Sequence, residues 1–364
     1  MSKKKVLFFS LLAIFLFFGT AEAILRIAGF EYYTYVKYMN FYRDQGGIPS
    51  GGIVSEPNKD NMVLVILHKR DPLLFWRNVP NIGPVNSQGF VNSTRKTYAL
   101  TKSSDVYRII SLGCSCTNRG WITYPERLEN LLNEANVSDM SFEVINAGVG
   151  GYGSYQGMNY FINDLQDYTP DLITVYFGWN DHWRAIHYAD KEQPRVNKFV
   201  MTLQETLDYT RIYQFLNKVI SQATRESKQE NKPVFRPRVS LDDYRDNIVT
   251  IISAAKKKDI KILLLTAPEA LTSDNIAFYL KQGLITPDVD LIKLHQSYND
   301  VIREIAASEQ VALLDLESIF NALPDKGKYF LKDGIHHREE GLSVIAQALF
   351  AAIKKNGMLP ESST

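Results

Sequence analysis

From Val106 onwards, short apolar runs alternate with longer stretches in which apolar residues recur every three or four positions. The runs predict strands at residues 107–112, 142–146, 172–177, 260–266 and 311–314. Each is nearly all apolar, as strands buried on both faces are. The helical spacing falls at residues 124–134, 155–164, 241–257 and 291–308, and a last helix is expected over about 339–354. Asp242 and Asp243 open one of these helices and Lys256, Lys257 and Lys258 close it, the order the helix dipole favours. Strands alternating with helices predict a parallel sheet covered on both faces. The expectation is one α/β domain over residues 105–358, three-layered α/β/α, with a central parallel sheet of about five strands.

The amino end has a different pattern. Lys3, Lys4 and Lys5 precede an apolar run from Val6 to Ala21, which Glu22 interrupts. Residues 1–30 therefore read as a signal peptide or a membrane anchor, with the lysines cytoplasmic and the remainder exported. Ala21-Glu22-Ala23 has the small-x-small form of a cleavage site, whereas the apolar residues resuming at Ile24 favour a retained anchor. Residues 31–104 are expected to form an extension packed on the main domain. It begins with Tyr32, Tyr33, Tyr35, Tyr38 and Tyr42, continues through a polar loop at 45–61, and holds one strand candidate at 62–67. Residues 71–77 and 85–90 read as turns tied down by aromatics, and no chemistry is visible in this segment. An insertion at about 190–237 contains one helical piece at 203–222, then a charged run at 225–232. It reads as a lid over the carboxyl edge of the sheet or as a solvated loop.

Composition narrows the functional classes. The chain has 364 residues, 45 % of them hydrophobic, enough for a sizeable core. With 41 basic and 40 acidic residues its net charge is +1, which gives no electrostatic case for nucleic acid as a partner. Tyrosine and phenylalanine are abundant, at 20 and 19, which suits core packing or, alternatively, sugar stacking. The two cysteines, Cys114 and Cys116, flank Ser115 and are badly spaced for a mutual disulfide. The six histidines show no metal-ligand spacing, so neither a metal nor a cofactor is expected.

Four segments carry candidate chemistry. The first apolar strand ends at Gly113-Cys114-Ser115-Cys116-Thr117, delivering a hydroxyl to the sheet edge where open α/β folds bind ligands. The second runs from Asn146 into Gly148, Gly150, Gly151 and Gly153, whose backbone can turn at positive φ and offer N–H groups. The third ends in Gly178-Trp179-Asn180-Asp181, where an Asn amide can donate to a developing oxyanion. The fourth, Asp333-Gly334-Ile335-His336-His337, sets a carboxylate three residues from an imidazole it can orient. Local spacing leaves His337 as a competing base.

In this order the four segments resemble the blocks of the SGNH/GDSL hydrolase family, over roughly residues 107–354. The closest likeness is to its bacterial branch with an amino-terminal membrane segment. The resemblance implies a flavodoxin-like α/β/α fold and ester hydrolysis through an acyl-enzyme. It makes Ser115 the nucleophile, His336 the general base and Asp333 its orienting carboxylate. The oxyanion donors would be the Ser115 N–H, the Gly151 N–H and the Asn180 side chain. The family's Asp before the serine is Cys114 here, which bears on how the turn presents Ser115. Cys116 is an alternative nucleophile. Cys116, Trp179, His182 and Arg184 are candidate pocket residues, with His187 nearby, while Arg238 either approaches the site or makes a structural ion pair.

The expected protein is an exported serine esterase acting on an acetyl or short-acyl ester of a carbohydrate or lipid. Its partners would be a small-molecule or carbohydrate ester and, through residues 1–30, a membrane. The alternatives are an O-acyltransferase using the same acyl-enzyme on envelope polysaccharide, and a non-catalytic carbohydrate-binding or envelope-assembly protein.

Overall fold

The computed structural model describes residues 2–30, 32, 53–54, 63–64, 68–185, 188–226 and 234–360. The tyrosines from Tyr33 to Tyr42, the loop at 45–61 apart from Ile53 and Val54, His187 and most of the charged run at 225–232 lie outside them. Two compact units divide the chain: Met1–Pro49 with Arg195–Pro233, and Ser50–Pro194 with Val234–Thr364.

In the first unit, α1 (Lys3–Ile27) continues through Glu22 without a break. In the second, β1 (Val106–Gly113) leads into the single turn α2 (Ser115–Asn118), α3 (Tyr124–Glu134) and β2 (Ser141–Asn146). The chain goes on through α4 (Ser154–Asn163) and β3 (Leu172–Tyr176). Here it gives two helices to the first unit, α5 (Lys198–Leu207) and α6 (Arg211–Glu226), before returning as α7 (Leu241–Lys256) and β4 (Lys261–Leu265). It ends with α8 (Ser273–Lys281), α9 (Leu291–Ser308), β5 (Ala312–Leu314), α10 (Leu316–Asn321) and α11 (Glu339–Lys355).

The strands form one parallel sheet in the order β2-β1-β3-β4-β5, the flavodoxin-like doubly wound order. Side-chain alternation divides each strand between two cores. Ile110, Leu112, Ile173, Val175, Ile262 and Leu264 share a cluster with residues of α4, α7 and α9. On the opposite face α3 packs against α11 and β2. There α11 buries Leu342, Ile345, Leu349 and Ile353 at one-helix-face spacing, each worth roughly 1.5–3 kcal/mol of hydrophobic stabilisation. Ser240 caps α7 by accepting the Asp243 N–H, and Asp242 and Asp243 follow in its first turn. This three-layer arrangement puts the loops after β1, β2 and β3 at the carboxyl edge.

Two local readings change, and a third is met over the residues described. Residues 71–77 belong to a hairpin, His68–Asp71 paired with Phe75–Asn78, because Asp71 accepts the N–H groups of Leu73 and Leu74 and tightens the link between two strands. The strand expected at 62–67 is seen over Val63–Leu64, paired with Ile53–Val54, and residues 62 and 65–67 lie outside the described residues. The single helical piece at 203–222 is two helices, broken between Leu207 and Arg211. Within the leading segment, Leu74, Phe90 and Tyr98 bury their side chains in the same core cluster as α4.

Candidate active site

β1 ends where only glycine fits. A Cβ on Gly113 would lie 2.1 Å from Thr117 Oγ1 and 3.0 Å from the Tyr176 carbonyl oxygen. The chain therefore turns tightly into α2, whose first residue, Ser115, is half-buried and reaches the surface. At the far end of the sequence, the Leu331 N–H donates to the His336 carbonyl and closes a turn. Asp333 secures that turn by accepting the N–H groups of Ile335 and His336 on Oδ1, both at 2.9 Å. Its Oδ2 lies 2.8 Å from His336 Nδ1, and His336 Nε2 lies 2.8 Å from Ser115 Oγ. Burial pushes the Asp333 carboxyl up, but the His336 ring and the two N–H groups outweigh it and hold it at about 2. The ionised carboxylate accepts Nδ1–H, leaving the Nε2 lone pair to receive the serine proton. That is the arrangement by which a weak hydroxyl becomes a nucleophile.

The neighbouring alternatives are occupied elsewhere. His337 is buried, with Nε2 3.3 Å from the Tyr176 hydroxyl and its ring against Phe320 and Phe330. Burial lowers it to about 3, so it stays neutral in the core. Cys116 is buried and its thiol donates to the Ile335 carbonyl. Its hydrogen bond with Cys114 and its burial push that thiol well above the ordinary range, away from thiolate chemistry.

The loops after β2 and β3 are fastened to this turn. Asn146 donates to the Thr117 carbonyl and to Thr123 Oγ1, and accepts the Gly148 N–H. The Val149 N–H donates to the Gly113 carbonyl, which lays the glycine loop beside the serine turn. Gly151 sits at φ +81°, a conformation that favours glycine. The Asn180 amide donates to the Tyr152 carbonyl at 3.0 Å, next to Gly151. Asp181, fully buried, accepts Gly178 N–H on one oxygen and Ser154 N–H on the other, tying the β3 turn to the start of α4.

Of the pocket candidates, Arg184 is half-buried and donates to the Gly283 carbonyl. Trp179 and His182 sit in the core: Trp179 stacks on His295 at 3.9 Å, and His182 Nε2 lies 3.1 Å from His295 Nδ1. Neither ring reaches a solvent-facing wall. Arg238 makes a buried bidentate pair with Asp190 and also donates to the Gly151 carbonyl at 2.9 Å, so the two readings left open for it coexist.

Residues of the leading hairpin join the same loop, and nothing in the sequence pattern pointed to them. The Trp76 indole donates to the Gly150 carbonyl and Asn78 to the Gly148 carbonyl. His68 is buried against Gly150, where a Cβ would meet its ring at 3.3 Å.

Buried titratable groups set an acid limit. Burial lowers His68 to about 4 and His337 to about 3, and pushes both His182 and His295 down. Burial raises Asp181 to about 6 despite its hydrogen bonds from Ser154. Unfolded histidines take up protons near pH 6.5, whereas these stay neutral in the fold, so stability falls as pH drops from about 6.5 towards 4. Asp181 acts in the opposite direction, binding a proton in the fold below about 6 that the unfolded chain does not bind until about 3.9. Between pH 7 and 5, His68 and His337 cost about 2 kcal/mol each and Asp181 returns about 1 kcal/mol. The urea midpoint should therefore drop by an amount equivalent to at least about 2 kcal/mol. A midpoint unchanged to pH 5 would contradict the neutral burial of these rings.

Comparison with known proteins gives a consistent result. Residues 109–342 match the GDSL-like Lipase/Acylhydrolase family. A curated relative, the GDSL esterase/lipase CPRD49 of Arabidopsis thaliana, is 24 % identical over 237 residues, covering 64 % of this chain and 80 % of its own. The uncharacterized lipoprotein YqeF of Bacillus subtilis (strain 168) is 23 % identical over 217 residues, covering 57 % of this chain and 69 % of its own. Among solved structures, a lipase/acylhydrolase from Enterococcus faecalis aligns over 69 % of this chain and 96 % of its own, with 15 % identity and a TM-score of 0.45.

Proposed function

This chain belongs to the GDSL-like lipase/acylhydrolase family of ester-hydrolysing serine hydrolases, and we propose that it is an exported, membrane-anchored esterase working through Ser115. Ser115 Oγ attacks the ester carbonyl as His336 takes its proton. The Ser115 N–H, the Gly151 N–H and the Asn180 amide receive the developing oxyanion, and His336 then returns the proton to the leaving alcohol. Water, deprotonated by the same imidazole, releases the acid. The observation that carries this reading is the continuous chain of two 2.8 Å contacts from Ser115 through His336 to an ionised Asp333.

The substrate is an acetyl or short-acyl ester on a carbohydrate or lipid. Support for export comes from Lys3, Lys4 and Lys5 ahead of α1, the one described helix long and apolar enough to cross a membrane. The lipoprotein name of the Bacillus relative points the same way.

A fluorophosphonate probe tests the assignment on the full chain in detergent, with peptide mapping of the adduct. Label is expected on Ser115, absent from Ser115→Ala and His336→Ala, and retained by Cys116→Ala. Label persisting in folded Ser115→Ala, or none on the folded parent, would overturn the assignment.

A further inference from the structure

Glu22, the one acid in the apolar amino-terminal run, has a structural use. Its carboxylate accepts the Ile212 N–H at the start of α6 and the Arg26 Nε–H four residues on. Arg26 in turn donates to the Tyr209 carbonyl, in the link between α5 and α6. Phe30 stacks edge-on against Phe215 at 5.8 Å, and the Tyr32 N–H donates to Gln214. Only the last turns of α1 take part. From Lys3 to Thr20 every residue is exposed, whereas Ala21, Glu22 and Leu25 are partly covered, at the spacing of one helix face.

These contacts fix the depth of the start of α6, and of the link that joins it to α5, once α1 spans a bilayer. The run from Val6 to Ala21 is about 24 Å long at 1.5 Å per residue, against a hydrocarbon core of about 30 Å. A carboxylate is costly in hydrocarbon, so Glu22 belongs at the polar boundary, and α6 begins where Glu22 caps it. From that point α6 exposes Phe215, Leu216 and Val219, and α5, on the other side of the link, exposes Phe199, Leu203 and Leu207, spaced four apart along one face. Successive helices with unburied apolar stripes, joined at the exit of a spanning helix, are what an interfacial membrane element requires.

We propose that α5 and α6 lie in the lipid interface, with these apolar residues inserted at the boundary of headgroups and acyl chains, beside a retained α1. The proposal rests on the anchored reading given above. Cleavage after Ala23 would remove the Glu22 cap from α6 while leaving Arg26 on the Tyr209 carbonyl and Phe30 against Phe215.

The test uses the full chain in nanodiscs of phosphatidylethanolamine and phosphatidylglycerol, where both faces meet solvent. Cys114 and Cys116 are buried, so single Leu203→Cys, Leu216→Cys and Asp242→Cys variants can each carry a nitrobenzoxadiazole label. Asp242 is an exposed position on α7 and serves as the reference. Labels at 203 and 216 should be quenched several-fold more strongly by nitroxide lipid than the label at 242, and reduced several-fold more slowly by dithionite. Equal behaviour at all three positions in a chain that enters nanodiscs would overturn the interfacial placement and leave the anchor standing. Protection from dithionite without nitroxide quenching would overturn it in favour of coverage by a second copy. A full-length chain that stays out of nanodiscs would overturn the anchor and this inference together.

Discussion

Asp333→Asn should leave the fold intact and lower kcat by about 10⁴-fold. The two halves of this expectation come from different oxygens. Oδ1 accepts the Ile335 and His336 N–H groups that shape the turn, and an asparagine carbonyl can keep both. Oδ2 faces His336 Nδ1 at 2.8 Å, and there the variant presents an NH2 group. A donor at that position makes Nδ1 the acceptor and moves the ring proton to Nε2. Nε2 then points a proton at Ser115 Oγ, 2.8 Å away, where a lone pair is needed. The nucleophile is in place and unactivated. Steady-state hydrolysis of a chromogenic acetyl ester, alongside a cooperative urea transition that keeps the parent's slope, checks both halves. A loss below about tenfold would mean that Asp333 does not set the imidazole tautomer.

The contrast between Asp333 and the rest of the site shows what a sequence can disclose. The Asp333–His336 contact spans one turn, so its spacing was readable, as were strands whose apolar runs end in glycine at Gly113, Gly148 and Gly178. Helices α3 and α9 fall on the residues their periodicity predicts, because each carries an uninterrupted apolar face. What stayed hidden depends on partners far along the chain. The break between α5 and α6 has no glycine or proline to announce it, and the N–H of Ile212 beyond it is taken by Glu22, 190 residues earlier. Trp76 and Asn78 reach the glycine loop only because a hairpin folds onto it, about 70 residues away in sequence. His182 follows a strand-end Asn as a pocket residue would, yet it points inwards to His295 on α9. No local pattern distinguishes an inward histidine from an outward one.

Arg238→Met should destabilise the protein by about 3–5 kcal/mol, since it leaves the Asp190 carboxylate buried with Gln156 as its remaining side-chain donor. The pair matters because of where it lies. The Asp190 N–H donates to the Arg238 carbonyl and the Arg238 N–H to the Trp183 carbonyl, so the ion pair clasps the two ends of the excursion that carries α5 and α6. Its third contact is with the glycine loop: the guanidinium donates to the Gly151 carbonyl at 2.9 Å, which fixes the peptide on the carboxyl side of Gly151 and so restrains the backbone of the proposed oxyanion donor. A second substitution separates the two roles. Arg238→Met with Asp190→Leu removes the stranded charge and should recover most of the stability, as apolar replacements of buried pairs commonly do. It does not restore a donor to the Gly151 carbonyl, so kcat should stay about tenfold below the parent, short of the roughly 10²–10³-fold that loss of a whole oxyanion donor costs. Urea unfolding and ester hydrolysis of the single and double variants measure the two terms independently. Recovery of both in the double variant would reduce Arg238 to a clasp, while recovery of stability alone identifies it as the residue that positions Gly151.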